Sequence, residues 1–185
     1  MDKNRLGMIL FLGSESVFFS LLILAYGLFR GTPEPGPTPA GSLDPLFTGI
    51  FSLFLFGSSF TIWMADQNMQ KGNRRQFLIW QITTILFGLI FLSGQAYEWR
   101  GLILKGTTIS SNLFGTTFFT LTGFHGLHVI IGLIMLTLVS SMTFTGRIKS
   151  PQSAEGVVTV SLYWHFVDAV WVVIYSIIYL TIVFA

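Results

Sequence analysis

The sequence contains no cysteine, and only 10% of its 185 residues are charged. The first absence excludes disulfides, thiolate metal sites and cysteine nucleophiles. The low share of charged residues excludes an ordinary soluble domain, in which about a quarter of the residues are charged. Since 52% of the residues are hydrophobic, the composition indicates an integral membrane protein.

Apolar runs long enough to cross a bilayer occur five times along the chain. A helix needs about 20 residues to cross ~30 Å of hydrocarbon. The predicted fold class is therefore all-α, a single domain over residues 1–185 with five transmembrane helices. These helices are expected at approximately 6–29, 46–65, 77–96, 113–143 and 157–184. Proline is scarce except at 33–45, so an external Pro-rich loop is expected at 30–45, and the first run is too long for a cleavable signal peptide.

The basic residues are distributed unevenly among the connections. Seven of the ten lie at the N-terminus and in the second and fourth connections, namely Lys3, Arg5, Lys71, Arg74, Arg75, Arg147 and Lys149. The positive-inside rule then predicts a cytoplasmic N-terminus and an external C-terminus. Because this bias is a topology signal, no nucleic-acid partner is expected.

Acidic residues within the apolar segments are candidates for function. Glu15 lies about ten residues from the cytoplasmic end of the first segment, where a carboxylate costs at least roughly 2.5 kcal/mol unless it stays protonated. Two interpretations remain open: Glu15 exchanges protons, or it bonds to a neighbouring helix and fixes packing. Asp66, at the cytoplasmic end of the second segment, is expected to be solvated, and Glu98 lies at the outer boundary of the third.

The fourth segment contains GFHGLHVIIG, in which His125 and His128 are three positions apart and share one helix face. Gly123, Gly126 and Gly132 accompany them and predict close packing against another helix. The histidines could ligate a metal or could simply donate hydrogen bonds inside the bundle.

In the fifth segment, YWHFVDAVWVVIY places His165 and Asp168 on one polar stripe, where they could bond to each other. The pair could act as a proton relay or an intersubunit contact, or it could be an internal network that fixes helix register. His165 could also be a third metal ligand beside His125 and His128. No cysteine, methionine or carboxylate pattern typical of copper, haem or zinc supports such a site, so neither a metal nor a catalytic centre is expected. On the third segment, Gly88 predicts another close helix contact.

Four blocks of sequence resemble one known family. They are SESVFF from Ser14, KGNRRQFLIW with FLSGQAYEW between Lys71 and Trp99, FGTTFFTLTGFHGLHVIIG from Phe114, and YWHFVDAVWVVIY from Tyr163. Together they touch four of the five predicted helices. The chain resembles subunit III of the haem-copper oxidases, a family that includes cytochrome c oxidase and quinol oxidase, in a short five-helix form.

This resemblance implies an accessory, non-redox subunit of a proton-pumping terminal oxidase in aerobic respiratory electron transport. The expected location is the inner membrane of a prokaryotic cell, and the expected partners are catalytic subunit I, subunit II and membrane lipids. Haem and copper are expected in the partner subunits, no cofactor is expected in this chain, and bound phospholipid is compatible with the family. The implied roles are assembly, lipid contact and proton uptake. Glu15 matches a membrane glutamate of the family and His128 a histidine close to it, so the two should meet between the first and fourth helices.

Two departures limit what the resemblance implies. Longer members have seven helices and hold lipid in a cleft that uses the two helices without a counterpart here. TIWMADQN also stands where many relatives have a histidine pair.

Other functions remain alternatives. The chain could be the equivalent subunit of a quinol oxidase or nitric oxide reductase complex, or a purely structural packing subunit. It could instead be an independent proton or ion transporter that uses Glu15, His128, His165 and Asp168, but the few polar groups and the absence of an inverted repeat disfavour this class.

Overall fold

The computed structural model describes residues 3–32, 35–148 and 155–183. Residues 33 and 34 of the predicted loop, Lys149 and residue 184 of the predicted fifth helix lie outside these ranges, as does the side chain of Lys3. Every regular element in the described ranges is a helix. In chain order these are α1 (Lys3–Phe29), α2 (Pro39–Ser42), α3 (Pro45–Gln70), α4 (Arg74–Leu104), α5 (Leu113–Phe144), α6 (Glu155–Tyr175), a π-helical turn (Ser176–Leu180) and α7 (Thr181–Val183).

Five helical stretches are long and apolar enough to span a membrane, which confirms the all-α, five-helix fold class. They are Arg5–Phe29, Pro45–Gln70, Arg74–Leu104, Leu113–Phe144 and Gly156–Val183. Several extend past the apolar runs, and α4 covers 74–104 where the run covers 77–96. Backbone hydrogen bonding continues a helix beyond the hydrocarbon, so hydropathy alone underestimates its length.

The connections that lead into α3, α4 and α5 share one local design. Asp44, Asn73 and Asn112 each accept a hydrogen bond from the backbone N–H three residues later, at 3.0, 3.2 and 2.9 Å, and so cap the first turn of a helix. Gly72 and Gly106 follow α3 and α4 with φ of 72° and 84°. Glycine adopts this left-handed conformation without a steric penalty. The chain therefore reverses within a few residues.

The helices α3, α4, α5 and α6 form a closed ring of contacts, and α1 packs outside it against α5 and α6. Trp164 of α6 is fully buried in this ring, and its Nε1 donates to Ser58 Oγ at 2.8 Å. A Cβ atom added to Gly88 or Gly132 would lie 2.8 or 2.7 Å from atoms of the indole ring. Glycine at these two positions therefore makes room for the tryptophan between α4 and α5.

Candidate functional site

Glu15 of α1 and His128 of α5 contact each other inside the bundle. Glu15 Oε2 lies 3.1 Å from His128 Nε2, and the two side chains are 19% and 11% exposed, respectively. The other ring nitrogen, Nδ1, lies 2.7 Å from the backbone carbonyl oxygen of Phe124. A carbonyl oxygen only accepts hydrogen bonds, so His128 Nδ1 carries a proton.

A second proton lies between Glu15 and His128. Two lone pairs do not form a contact at 3.1 Å, so either a protonated Glu15 donates to neutral His128 or a protonated His128 donates to the Glu15 carboxylate. Both arrangements are electrically neutral. Neutrality suits a site in hydrocarbon, where one net charge costs roughly 2.5–3.5 kcal/mol even on insertion scales. The pair can therefore hold one proton on either member without a change in net charge.

Aromatic side chains enclose this pair. The ring of Phe19 meets that of His128 edge-on at a centroid distance of 4.9 Å, and Tyr163 stacks on it at 6.4 Å with an interplanar angle of 16°. The hydroxyl of Tyr163 also donates to the backbone carbonyl of His128 at 3.1 Å. These contacts restrict the imidazole to the orientation that faces Glu15.

His125 lies one turn from His128 but in a different environment. Its side chain is buried, stacked on Trp171 at a centroid distance of 4.8 Å and met edge-on by Phe91 at 6.0 Å. Neither of its ring nitrogens has a hydrogen-bond partner within the described ranges. The structure therefore places His125 in an aromatic cage and does not bring it to Glu15.

His165 and Asp168 are joined through Ser59 of α3. Ser59 Oγ lies 3.2 Å from His165 Nδ1, and the same hydroxyl is hydrogen-bonded to a carboxyl oxygen of Asp168. His165 is half-buried and Asp168 is buried. An interhelical bridge thus takes the place of the direct bond that their spacing allows, because a serine from α3 lies between the two side chains.

The three histidines do not converge on a common point. His128 pairs with Glu15, His125 stacks on an indole, and His165 bonds to a serine on the side of α3. Among the residues with described positions, no group of three or more histidine, cysteine or acidic side chains could hold a metal ion.

A buried carboxylate network near the ends of α4 and α6 was not recognised from the sequence. Glu98 is 8% exposed. Its Oε1 accepts from Thr48 at 2.6 Å, and its Oε2 accepts from Tyr179 at 2.6 Å and from Gln95 at 3.1 Å. The network joins α3, α4 and the π-helical turn. Two signals were available: the Gln95–Glu98 spacing, and Tyr179 eleven residues after Asp168, which puts both on one face of an α-helix.

Hydrogen bonds connect α3 and α6 along most of their length. Asp66, expected to be solvated, instead accepts from Ser161 Oγ at 2.8 Å. The further interhelical bonds run from Trp164 to Ser58, from Trp171 to Ser52 and from Tyr175 to the carbonyl of Pro45. The two helices run antiparallel, so the end of α3 meets the beginning of α6 and Asp66 finds a partner.

An apolar groove follows the seam between α4 and α5. It comprises three adjoining cavities of about 390, 350 and 360 Å³. Leu92 and Ile130 line the first two cavities, and Trp99 lines the first and third. Gly123 and Gly126 also line the first cavity, with Trp99 and Leu92 as their respective neighbours. The missing side chains at these glycines widen the groove.

Comparison with known proteins places these features in a family. The family profile for cytochrome c oxidase subunit III matches residues 1–182 of the chain. Cytochrome c oxidase subunit 3 of Thermostichus vulcanus is 35% identical over 97% of this chain and 88% of its own length. The corresponding protein of Synechocystis sp. is 37% identical over 97% of this chain and 76% of its own length. Quinol oxidase subunit 3 of Bacillus subtilis is 33% identical over 96% and 86%, respectively. The similarity therefore extends over all five spanning helices.

Proposed function

The chain belongs to the cytochrome c oxidase subunit III family, and from this premise we propose that it is the accessory subunit of a proton-pumping terminal oxidase in the inner membrane of a prokaryotic cell. The match over residues 1–182 carries this proposal. Five membrane-spanning helices and many exposed apolar side chains support it. The proposed orientation has a cytoplasmic N-terminus, since the basic residues concentrate on that side.

The proposed partners are subunit I, which carries the catalytic centre, and subunit II. Haem and copper belong to those partners in this assignment, and the present chain contributes to assembly and to proton uptake. Large apolar side chains such as Leu10, Val17, Leu21 and Leu28 are exposed along α1. A surface of this kind suits both acyl chains and the helices of partner subunits.

For Glu15 and His128 we propose a role in proton supply. Their pairing allows one proton to reside on either group at constant net charge, and Glu15 is 19% exposed, so exchange with a neighbouring group is sterically allowed. The pair would release this proton towards the catalytic subunit and then take up another, so that it bears a net negative charge only between the two steps.

For lipid contact, we propose that acyl chains bind in the apolar groove between α4 and α5. Its cavities are of the size of acyl-chain segments and their lining is almost entirely apolar. This groove lies within one chain, so it does not depend on the two additional helices of longer family members.

Purification of the complex through a tag on this chain tests the assignment. Haem should copurify with the chain, and the complex should reduce oxygen. Glu15→Gln should then lower proton pumping or shorten the active lifetime, because the amide cannot carry the exchangeable proton. The matched control is Ser16→Ala, on the same helix, whose hydroxyl donates to the Leu12 carbonyl of that helix at 2.8 Å.

Two results would contradict these proposals separately. Absence of haem and of other oxidase subunits from the purified wild-type complex would overturn the assignment as a whole. Unchanged turnover, pumping and inactivation in the Glu15→Gln complex would overturn the role of the glutamate alone.

A quinol oxidase is the second candidate for the complex, because a quinol oxidase subunit 3 matches nearly the whole chain at 33% identity. The electron donor binds to other subunits in either case. Assays of the purified complex with reduced cytochrome c and with a quinol would decide between the two.

A further inference from the structure

We propose that the outer face of α6 around His165 docks a transmembrane helix of another subunit, and that this helix supplies a hydrogen-bond acceptor to His165 Nε2. We define the His165 surface by residues that recur every three or four positions and are exposed or half-buried: Leu162, His165, Ala169, Val172 and Ser176. The inference rests on the proposed function, because it requires a complex with at least one further membrane subunit.

The first argument is the unsatisfied nitrogen of His165. Its Nδ1 is occupied by Ser59, at 3.2 Å from the hydroxyl oxygen. Its Nε2 makes no hydrogen bond to any described residue, and the ring is only half-buried, so this nitrogen lies at the outer surface of the bundle. The residue lies within the span Gly156–Val183. Hydrocarbon offers no partner for a polar nitrogen there.

The second argument identifies Nε2 as a donor. Ser59 has a single hydroxyl proton for its two neighbours. If it donates to ionised Asp168, then His165 Nδ1 must donate to Ser59, and the cluster becomes neutral only when Nε2 is also protonated. If Asp168 is protonated and donates to Ser59, then Ser59 donates to Nδ1, and the neutral imidazole has its proton on Nε2. A proton on the other carboxyl oxygen of Asp168, Oδ1, would be a buried donor without an acceptor among the described residues. The two neutral arrangements that leave Oδ1 unprotonated therefore both present an N–H at the surface.

The depth of His165 favours a protein acceptor over a lipid one. The span of 28 residues is about 42 Å long, and His165 lies about 14 Å from Gly156. With the span centred on ~30 Å of hydrocarbon, the ring is about 8 Å inside the boundary. Lipid ester oxygens lie near that boundary. A backbone carbonyl or a side-chain oxygen of a partner helix can lie at the required depth.

The shape and polarity of the surface also suit a helix. Ala169 is small and exposed. Ser176 is short, and its hydroxyl already donates to the carbonyl of Val172 at 2.7 Å. A neighbouring helix can therefore approach closely, and within this surface His165 is the side chain with a donor left over.

Photo-crosslinking in the native complex tests for an occupant. A benzophenone amino acid replaces Val172, which is 48% exposed and lies two turns after His165 on the same face of α6. In a second variant it replaces Leu86 on α4, which is 53% exposed on the other side of the helix ring. Irradiated membranes should give a covalent adduct between position 172 and another polypeptide of the complex. Position 86 measures background capture. Adducts of position 172 with lipid only would overturn the proposal.

Substitutions of His165 test the hydrogen bond. His165→Leu removes the donor, whereas His165→Gln keeps an N–H at the end of the side chain and an oxygen that can accept from Ser59. After detergent extraction, the oxidase should retain the Leu variant several-fold less well than wild type and retain the Gln variant nearly as well as wild type. Ser176→Ala is the matched control on the same surface and should be retained like wild type.

The level of each variant in the membrane before extraction separates loss of binding from failure to fold. Equal retention of the Leu variant and wild type would overturn the proposal, as would equal losses of the Leu and Gln variants from membranes that contain normal amounts of both. If haem copurifies with wild type but the Leu variant is retained normally, this inference fails and the proposed function stands. If no oxidase copurifies with the wild-type chain, the proposed function itself fails.

Discussion

The bundle contains two histidine–carboxylate clusters that differ in how they are completed. Glu15 contacts His128 directly at 3.1 Å, and both ring nitrogens of His128 have partners within the chain. Asp168 reaches His165 only through Ser59, and Nε2 of His165 has no partner among the described residues. The first cluster is therefore complete in the isolated chain, whereas the second needs a further group from outside.

The helices around each cluster explain this difference. α1 packs on α5 and α6 and so covers His128 with Glu15 and Phe19. The face of α6 that contains His165 and Val172 remains open within the described part of the chain. A polar cluster in a membrane protein is self-sufficient where a helix of the same chain covers it, and elsewhere it indicates the position of a neighbour.

The largest expected effect comes from removing the histidine of the complete cluster. His128→Leu leaves Glu15 without its partner in a largely enclosed site, and the unfolding free energy should fall by about 3 kcal/mol. Unfolding of the isolated chain in mixed micelles, followed by tryptophan fluorescence as dodecyl sulfate is increased, measures this loss. His165→Leu should destabilise the isolated chain much less, because Asp168 keeps its bond to Ser59. An equal loss in the two variants would contradict the distinction between the clusters.

Removal of the Ser59 hydroxyl, which joins His165 and Asp168 in the second cluster, should lower the unfolding free energy by a smaller amount. Ser59→Ala removes the hydroxyl shared by His165 and Asp168, and the unfolding free energy should fall by about 2 kcal/mol, since a buried carboxylate loses its donor. Ser93→Ala is the matched control in the same titration, because the Ser93 hydroxyl donates to the Leu89 carbonyl of its own helix and, among the described residues, bridges no second helix. If both alanine variants unfold alike, the bridge does not contribute to stability.

Substitution of Phe19, which packs over the Glu15–His128 cluster, should lower the unfolding free energy by less. Phe19 is 2% exposed and lies against His128. Phe19→Leu keeps the site apolar but loses the edge contact and part of the volume, so a fall of about 1 kcal/mol is expected. Unfolding of the isolated chain by dodecyl sulfate again measures this change. Phe29→Leu, at an exposed position near the end of α1, should leave the unfolding free energy unchanged.

The smallest change in stability is expected for Glu15→Gln. The amide can donate to Nε2 of a neutral His128 in place of the acid, so the unfolding free energy should change by less than about 1 kcal/mol. The same variant is expected to impair proton pumping or durability in the complex. Stability and proton handling at this cluster can thus be separated, and a large loss of stability in the Glu15→Gln chain would show that the two are inseparable.

Much of the fold could be predicted from the sequence, because the thickness of the bilayer sets a minimum length for each apolar run. The five spanning helices were predicted in this way and are confirmed. The contact between Glu15 and His128 was expected only through the family resemblance. Similar depth allows two residues to meet, but it does not specify how each helix is rotated about its axis.

The remaining contacts depend on partners that no single segment reveals. Ser59 is one of many small polar residues in the chain, and nothing in its own segment indicates that it lies between His165 and Asp168. Glu98 seemed peripheral by position, yet a tyrosine 81 residues later in the chain donates to its carboxylate. Such pairings follow from how five helices pack simultaneously.

The sequence by itself therefore determined the membrane location, the number of helices and the family, because hydropathy and ordered motifs are properties of the chain alone. Only the tertiary structure decided that both ring nitrogens of His128 have hydrogen-bond partners, that His125 lies among aromatic rings and that His165 faces outward. The physical reason is that hydrogen-bond partners in a helix bundle depend on the rotation and depth of each helix relative to the others. Those quantities are set by side-chain packing, as where Trp164 fits against Gly88 and Gly132.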